Sequence, residues 1–315
     1  MKKKHTELGD GGEFDRIRAI WKRLGKSAAP LGDDCAIIDS GGVSLALSAD
    51  LSIEGTHFER GWIGLDEIGW RAAMASLSDL AAVAADPIGV FVSIGISAEV
   101  PEDWPAEIMS GVAAAADSVG GKVLGGDIVR SDRLIIDTVV LGSLPVAPVL
   151  RSGARIGDRL FVSGELGGPV AAVTTWNDRR EPDHTARERF ARPHARVREA
   201  HWLRDRGATA MIDLSDGLFA DAGHLGAASK AACVLDVGAL PVHPACSGTE
   251  AALFAGEEYE LLVAMPKKST VNLTAEFAET FGLPLTAVGE MEAGVGVALK
   301  HVAGLELDIR TFQHF

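Results

Sequence analysis

The chain has 315 residues, 47% of them hydrophobic and 23% charged, with a formal net charge of −14. That size and balance are ordinary for a globular enzyme of two cored domains, and the acidic surplus argues against sequence-independent nucleic-acid binding, which needs a basic surface. The 3 cysteines, Cys35, Cys233 and Cys246, lie far apart with no CxxC pair. They exclude a zinc site or disulfide framework and suit the reduced thiols of a cytoplasmic protein.

The opening Met1-Lys2-Lys3-Lys4-His5 has no apolar stretch behind it and does not read as a secretory signal. Phe14 to Leu24 has helical spacing. Ala36–Asp39 and Val43–Ser48 read as a hairpin turning through Ser40-Gly41-Gly42. An Ala-rich helix is predicted over Asp66–Ala85, a strand over Ile88–Ile96, a helix over Glu102–Ser118 and a strand over Leu134–Leu141. The most apolar stretch, Leu80–Ile96, is broken by Asp86 and Pro87, so it is no membrane span. A Pro-rich stretch, Leu144-Pro145-Val146-Ala147-Pro148, marks a boundary between a domain of residues 1–148 and one of residues 149–315. Beyond it the spacing predicts strands over Arg159–Ser163, Ala210–Asp213, Cys233–Val237 and Glu260–Met265, with helices over Pro169–Trp176, Ala195–Arg206 and Leu218–Ser229. The fold class is α/β (α+β) in two domains.

Six acidic clusters share one habit: each stands beside glycine or serine near the end of an apolar run. They are Gly32-Asp33-Asp34, Ser48-Ala49-Asp50, Ser78-Asp79, Gly125-Gly126-Asp127, Asp213-Leu214-Ser215-Asp216-Gly217 and Gly256-Glu257-Glu258-Tyr259-Glu260. Converging carboxylates repel one another unless a cation sits among them. Mg²⁺ is the usual hard cation for such a set and brings phosphates with it, so phosphoryl transfer is the leading expectation.

Each cluster also has a plainer reading. Ser215 or Asp216 would serve as the N-cap of the following helix, although a cap explains one carboxylate and not a pair at a strand-to-helix corner. Gly125-Gly126-Asp127 reads equally as a glycine turn. Asp79, inside an apolar helix, either faces solvent or meets a cation. Of the adjacent pair, Asp33 is the expected metal ligand and Asp34 the lesser candidate. His57 alone reads as structural. Gly25-Lys26-Ser27 resembles a P-loop end but lacks the earlier glycine, since position 20 is Ile20, and no GxGxxG dinucleotide fingerprint is present.

Taken in order, these segments resemble the thiamine-monophosphate kinase family over nearly the whole chain. The matching segments are Gly12-Glu13-Phe14, Gly32-Asp33-Asp34, Asp50 with Gly55-Thr56-His57-Phe58, Leu77 to Ala82, Ala85-Asp86-Pro87, Gly125 to Asp127, Arg151 to Ala154, Ile212 to Leu218, Gly256 to Leu261 and the closing His314-Phe315. The resemblance implies an N-terminal domain whose mixed sheet pairs in a homodimer, a C-terminal α/β domain, and ATP in a cleft with several magnesium ions. The implied reaction is ATP with thiamine monophosphate giving ADP and thiamine diphosphate, by direct in-line transfer, the last step of thiamine diphosphate biosynthesis. Neither nucleic acid nor membrane is an implied partner.

Residue by residue, the resemblance assigns metal binding to Asp33, Ser48, Asp50, Asp79, Asp127, Asp213 and Asp216. It puts the catalytic weight on Asp33, Asp79, Asp127 and Asp216, nucleotide contacts on Gly126, Asp127, Arg151 and Ser215, and substrate contacts on His57, Glu257 and Phe312. Ala49, Ile128, Glu258 and Phe312 depart from the usual family residues. Among superfamily rivals, selenophosphate synthetase would want a reactive cysteine in an N-terminal glycine-rich loop, and none precedes Cys35. A non-catalytic nucleotide binder would have lost several of the aspartates.

Overall fold

The computed structural model describes residues 12–28 and 32–301. Chain order is α1 (Gly12–Leu24), β1 (Ala36–Ser40), β2 (Val43–Ile53), α2 (Leu65–Ala82), β3 (Asp86–Ile96), α3 (Trp104–Ser118), β4 (Lys122–Arg130) and β5 (Ile135–Leu144). There follow β6 (Arg159–Ser163), α4 (Gly168–Asn177), α5 (His184–Ala191), α6 (Val197–Asp205), β7 (Ala210–Asp213), α7 (Leu218–Ser229), β8 (Ala232–Asp236), α8 (Thr249–Phe254), β9 (Leu261–Met265), α9 (Leu273–Phe281), β10 (Leu285–Glu292) and β11 (Val297–Lys300).

The first sheet has the order β1-β2-β5-β3-β4, and only β3 and β4 run parallel. Along β5, alternate residues from Ile136 to Leu144 are buried while Ile135, Asp137, Val139, Leu141 and Ser143 are half-exposed, the period of two that sets one face on a core. Thr138 on the buried face meets α2, its hydroxyl 2.5 Å from that of Ser76. The register Asp50↔Thr138 therefore turns Asp50 toward α2 as well. The other face bears exposed Ile38, Leu51, Phe91 and Val129.

The second sheet, order β11-β8-β10-β6-β9-β7, is also mixed, with β11 parallel to β8 and the other neighbours antiparallel. Both of its faces are covered, so β7 and β9 are buried at every position, as strands between two layers must be. Phe161 packs with the core that contains α2 and α6, and its neighbours Leu160 and Val162 with the core under α7.

Helix α2 joins the two halves. It packs on β2 and β5 on one side and on α5, α6 and β7 on another. Being apolar nearly all round, it is a core helix rather than a surface one. Its crossing with α3 is close: a Cβ at Gly69 would overlap the Ile108 carbonyl, and one at Gly111 the Asp66 carbonyl. Among the described residues no helix is long and apolar enough to cross a membrane.

Most predicted elements are present with ends moved by a few residues. The main addition is β4. Gly125-Gly126-Asp127 lies inside this edge strand, all nine residues of which are exposed, and not in a turn. Its two glycines hid it, because they weaken a strand signal. Helices α5, α8 and α9 and strands β10 and β11 were also not expected. Phe312, His314 and Phe315 lie outside the described residues.

Candidate active site

The acidic residues converge where α2 meets the second sheet. Asp79 sits on α2, Asp34 in the loop before β1, and Asp213 at the end of β7; their carboxylate oxygens lie within 4.8 Å of one another. The Ser48 hydroxyl on β2 donates to Asp79 Oδ2 at 2.5 Å. Asp50 and Asp79 face a cavity of about 180 Å³ together with Leu51, Ser52, His57, Ala75, Asp213, Ser215, Asp216, Glu257 and Tyr259.

Burial pushes the carboxyls of Asp79 and Asp213 well above their ordinary values, and neighbouring carboxylates add to the effect, chiefly Asp50 for Asp79 and Asp34 for Asp213. Burial and Asp34 likewise push Asp33 up to about 7. Burial, then Asp137, raises Asp50, against a lowering by Ser76. A cluster of hard oxygen donors this close, whose mutual repulsion a cation would relieve, fits Mg²⁺ and suits softer metals poorly.

One arginine enters this cluster. Arg151, in a short 3₁₀ turn between the two sheets, donates Nε to Asp34 Oδ2 at 3.0 Å and Nη2 to Asp34 Oδ1 at 2.5 Å. Its backbone N–H reaches Asp33 at 3.3 Å. The lesser of the two expected aspartates, Asp34, thus stands in the close triad, and Asp33 lies beside it holding the Arg151 backbone.

The Asp213–Gly217 corner is not capped by Ser215 or Asp216. Gly217, at φ 102°, occupies the N-cap position of α7 and no side chain caps the helix. Ser215 and Asp216 are left to line the cavity, and the Asp216 N–H donates to Asp221 Oδ2 at 3.2 Å. Asp216, Asp221 and His224 form a second close group at the start of α7. Asp221 and His224 were not expected in the site. Their signal was the three-residue step that sets Leu218, Asp221 and His224 on one face of the helix.

Glu257 and Tyr259 reach the cavity from a bent segment before β9. Both have positive φ, 64° and 52°, a region that costs such residues about 1–3 kcal/mol unless their surroundings impose it. The imposing bonds run to the Asp213–Gly217 corner: Glu257 N–H to Ser215 O at 2.7 Å, Tyr259 N–H to Leu214 O at 2.9 Å, and Leu214 N–H back to Glu260 O at 2.8 Å. Glu258 and Glu260 between and after them point away into a buried ionic cluster. Arg196 donates Nε to Glu260 at 2.8 Å, Arg189 donates Nη1 to it at 2.8 Å, and the Gly167 N–H meets Glu258 Oε1 at 2.5 Å.

A second cavity, of about 340 Å³, adjoins the first and shares His57 and Glu257 with it. Its other walls include Trp62, Pro169, Val170, Val173, Phe190 and Phe254. Trp62 stacks on Trp176 at 5.2 Å, and Phe190 stands edge-on to both rings. His57 Nδ1 accepts the Ile53 N–H at 3.0 Å, which places the proton of a neutral ring on Nε2. The site is therefore bipolar: carboxylates at one end, an aromatic slot at the other, with His57 and Glu257 at the junction.

Asp127 and Gly126 stand apart. Asp127 is in register with Ser93, and Ser93 with Asp137, on the sheet face away from α2. The row Asp50–Thr138–Val92–Gly126 crosses three strand spacings, roughly 14 Å at about 4.8 Å each. Within one chain Asp127 does not join the carboxylates around Asp79.

Residues 32–144 match the family described as AIR synthase related protein, N-terminal domain. The thiamine-monophosphate kinase of Methanospirillum hungatei is 31% identical over 290 residues, covering 90% of this chain and 92% of that protein. The enzyme of the same name from Salmonella typhimurium is 33% identical over 296 residues, covering 90% and 89%. Among solved structures, AaThiL complexed with AMPPCP and TMP superposes with a TM-score of 0.86 at 30% identity, covering 96% of this chain and 97% of that one.

Proposed function

The chain belongs to the thiamine-monophosphate kinase family, and we propose that it transfers the γ-phosphoryl group of ATP to the phosphate of thiamine monophosphate, releasing ADP and thiamine diphosphate. The observation that carries this reading is the bipolar site. A polyphosphate needs the carboxylate end with its cations, and a flat, cationic heteroaromatic acceptor needs the slot of Trp62, Phe190 and Phe254.

Asp34, Asp50, Asp79, Asp213 and Asp216, with Asp33 and the Ser48 hydroxyl close by, are the residues that would hold magnesium ions. Bound there, Mg²⁺ would supply neutralisation of phosphate charge. The remaining work is positioning. The acceptor oxygen belongs to a phosphate already ionised, so no strong general base is needed. Glu257 and His57 would orient the acceptor at the junction, with His57 Nε2–H as a donor to its phosphate. Ser215 and Arg151 would face the nucleotide.

The open face of the first sheet supports a homodimer. It carries exposed Ile38, Leu51, Phe91 and Val129 and ends in β4, an edge strand among the described residues, a surface that a second copy would cover. Asp127 lies at that face and Gly126 beside it on the edge strand, so they would meet nucleotide or metal at a site the second copy completes. The division into domains 1–148 and 149–315 is proposed on the same footing, since the chain leaves the first sheet at Leu144 and enters the second at Arg159.

The test is incubation of the purified protein with ATP, Mg²⁺ and thiamine monophosphate, with thiamine diphosphate read by chromatography. Product that is abolished by EDTA is expected. ATP consumption without thiamine diphosphate, or no reaction by folded protein, would overturn the assignment of the acceptor.

A further inference from the structure

Arg71 is a buried cation in the middle of α2, 3% exposed, and no role follows for it from the reaction alone. It precedes Ala75 by four residues and Asp79 by eight, on one helix face, about 12 Å along the axis from Asp79. Its polar contacts among the described residues cross to the other half of the molecule. Nη1 donates to the Phe190 carbonyl at 2.5 Å and Nη2 donates to the Glu257 carboxylate. The guanidinium carbon lies 3.9 Å from the Phe190 ring centroid and 5.9 Å from that of Tyr259.

These three partners are the walls of the two cavities. Phe190 and Glu257 line the aromatic slot; Glu257 and Tyr259 line the carboxylate cavity. Glu257 holds a left-handed backbone conformation, so its direction is imposed from outside. Its backbone is tied to Ser215, and its side chain to Arg71. The Glu257 side chain is 24% exposed, so water would satisfy the carboxylate without the arginine. The pair gives the buried Arg71 guanidinium, its side chain 4% exposed, its counter-charge, and it also aims the Glu257 carboxylate.

Resting on the phosphoryl-transfer reading above, we propose that Arg71 is a positioning residue for the acceptor. By gripping Phe190 and Glu257 from the helix that carries Asp79, it aligns the aromatic slot with the carboxylate cavity and sets the Glu257 carboxylate at the junction. A planar guanidinium serves all of these contacts at once; an ammonium would keep the charge and lose the fork and the stacking.

The test compares Arg71→Met, Arg71→Lys, Glu257→Gln and the double Arg71→Met/Glu257→Gln, with KM for thiamine monophosphate, KM for ATP and kcat measured separately and folding checked by circular dichroism. Arg71→Met is expected to raise the acceptor KM about tenfold, the scale of one charge-assisted bond, and to leave the ATP KM within about twofold. Arg71→Lys should recover part of the loss. The double variant should lose less than the sum of the two single losses, because the Arg71–Glu257 contact is shared.

Equal rises in both KM values, or additive effects in the double variant, would overturn the proposal. If Arg71→Met does not fold, Arg71→Lys decides: an acceptor KM equal to that of the wild type would overturn it. A wild-type protein that makes no thiamine diphosphate would instead refute the assigned reaction, a separate outcome.

Discussion

Two buried acidic clusters lie on either side of the Gly256–Glu260 segment, and they differ in their cations. Glu260 is fully buried, yet Arg196 and Arg189 hold its carboxyl below the usual value against the opposing effect of burial. Asp79 and Asp213 are driven well above theirs, because burial is reinforced by other carboxylates. Beside the Asp34–Asp79–Asp213 triad Arg151 is engaged by Asp34, and Arg71, on the Asp79 helix, by Glu257. The first cluster is complete within the chain; the second is short of positive charge. Buried carboxylates matched by arginine belong to the scaffold, and those without a match are where the proposed chemistry would bring its own cations.

The sharpest way to break this contrast is to neutralise one member of the unmatched cluster. Asp79→Asn is expected to lower turnover about a thousandfold, by analogy with removal of one preorganised electrostatic partner, with the fold retained in circular dichroism. Near-normal turnover would sink the role of Asp79. In the matched cluster the effect should fall on stability instead. Arg196→Met leaves Glu260 short of a partner and is expected to cost about 3–5 kcal/mol in a denaturant titration, as a broken buried pair does.

Added Mg²⁺ should sharpen the same difference at smaller scale. It is expected to stabilise the wild type by about 2.7 kcal/mol at a hundredfold excess over its dissociation constant. Asp79→Asn should show a reduced response in a thermal melt, and Arg196→Met the full one. An equal response in all three would remove the distinction.

Much of this site was legible in the sequence. Asp50, Asp79, Asp213, Ser215 and Asp216 announce themselves as carboxylates and a serine at the ends of apolar runs or inside them, where a charge needs a reason. What stayed hidden depends on tertiary approach. Which of Asp33 and Asp34 enters the triad depends on where Arg151 docks, more than a hundred residues away. The aromatic slot assembles Trp62, Phe190 and Phe254 from three distant segments, and isolated aromatics read as core. Arg71 had a signal, a charge four residues before Ala75 and eight before Asp79 in an apolar helix, but its partners Phe190 and Glu257 could not be read from spacing. Strand β4 was obscured by its own glycines, and Asp127 by the face on which they place it.

The smallest effect tests the matched cluster at its weakest member. Glu258 is buried beside Arg189 and bonded to the Gly167 N–H, yet burial still pushes its carboxyl from 4.5 up to about 7. A carboxyl raised on folding contributes stability that is fully present below its unfolded value and is lost as pH rises through the folded one. The wild type should therefore lose stability from about pH 4.5 to 7, at up to about 1.4 kcal/mol per pH unit from this group, or about 2 kcal/mol between pH 5.5 and 7. Glu258→Gln removes the titration while keeping an acceptor for Gly167, so its stability should vary less over that window. If wild type and variant show parallel profiles in urea titrations, Glu258 is ionised throughout, and Arg189 compensates it as fully as Arg196 and Arg189 together compensate Glu260.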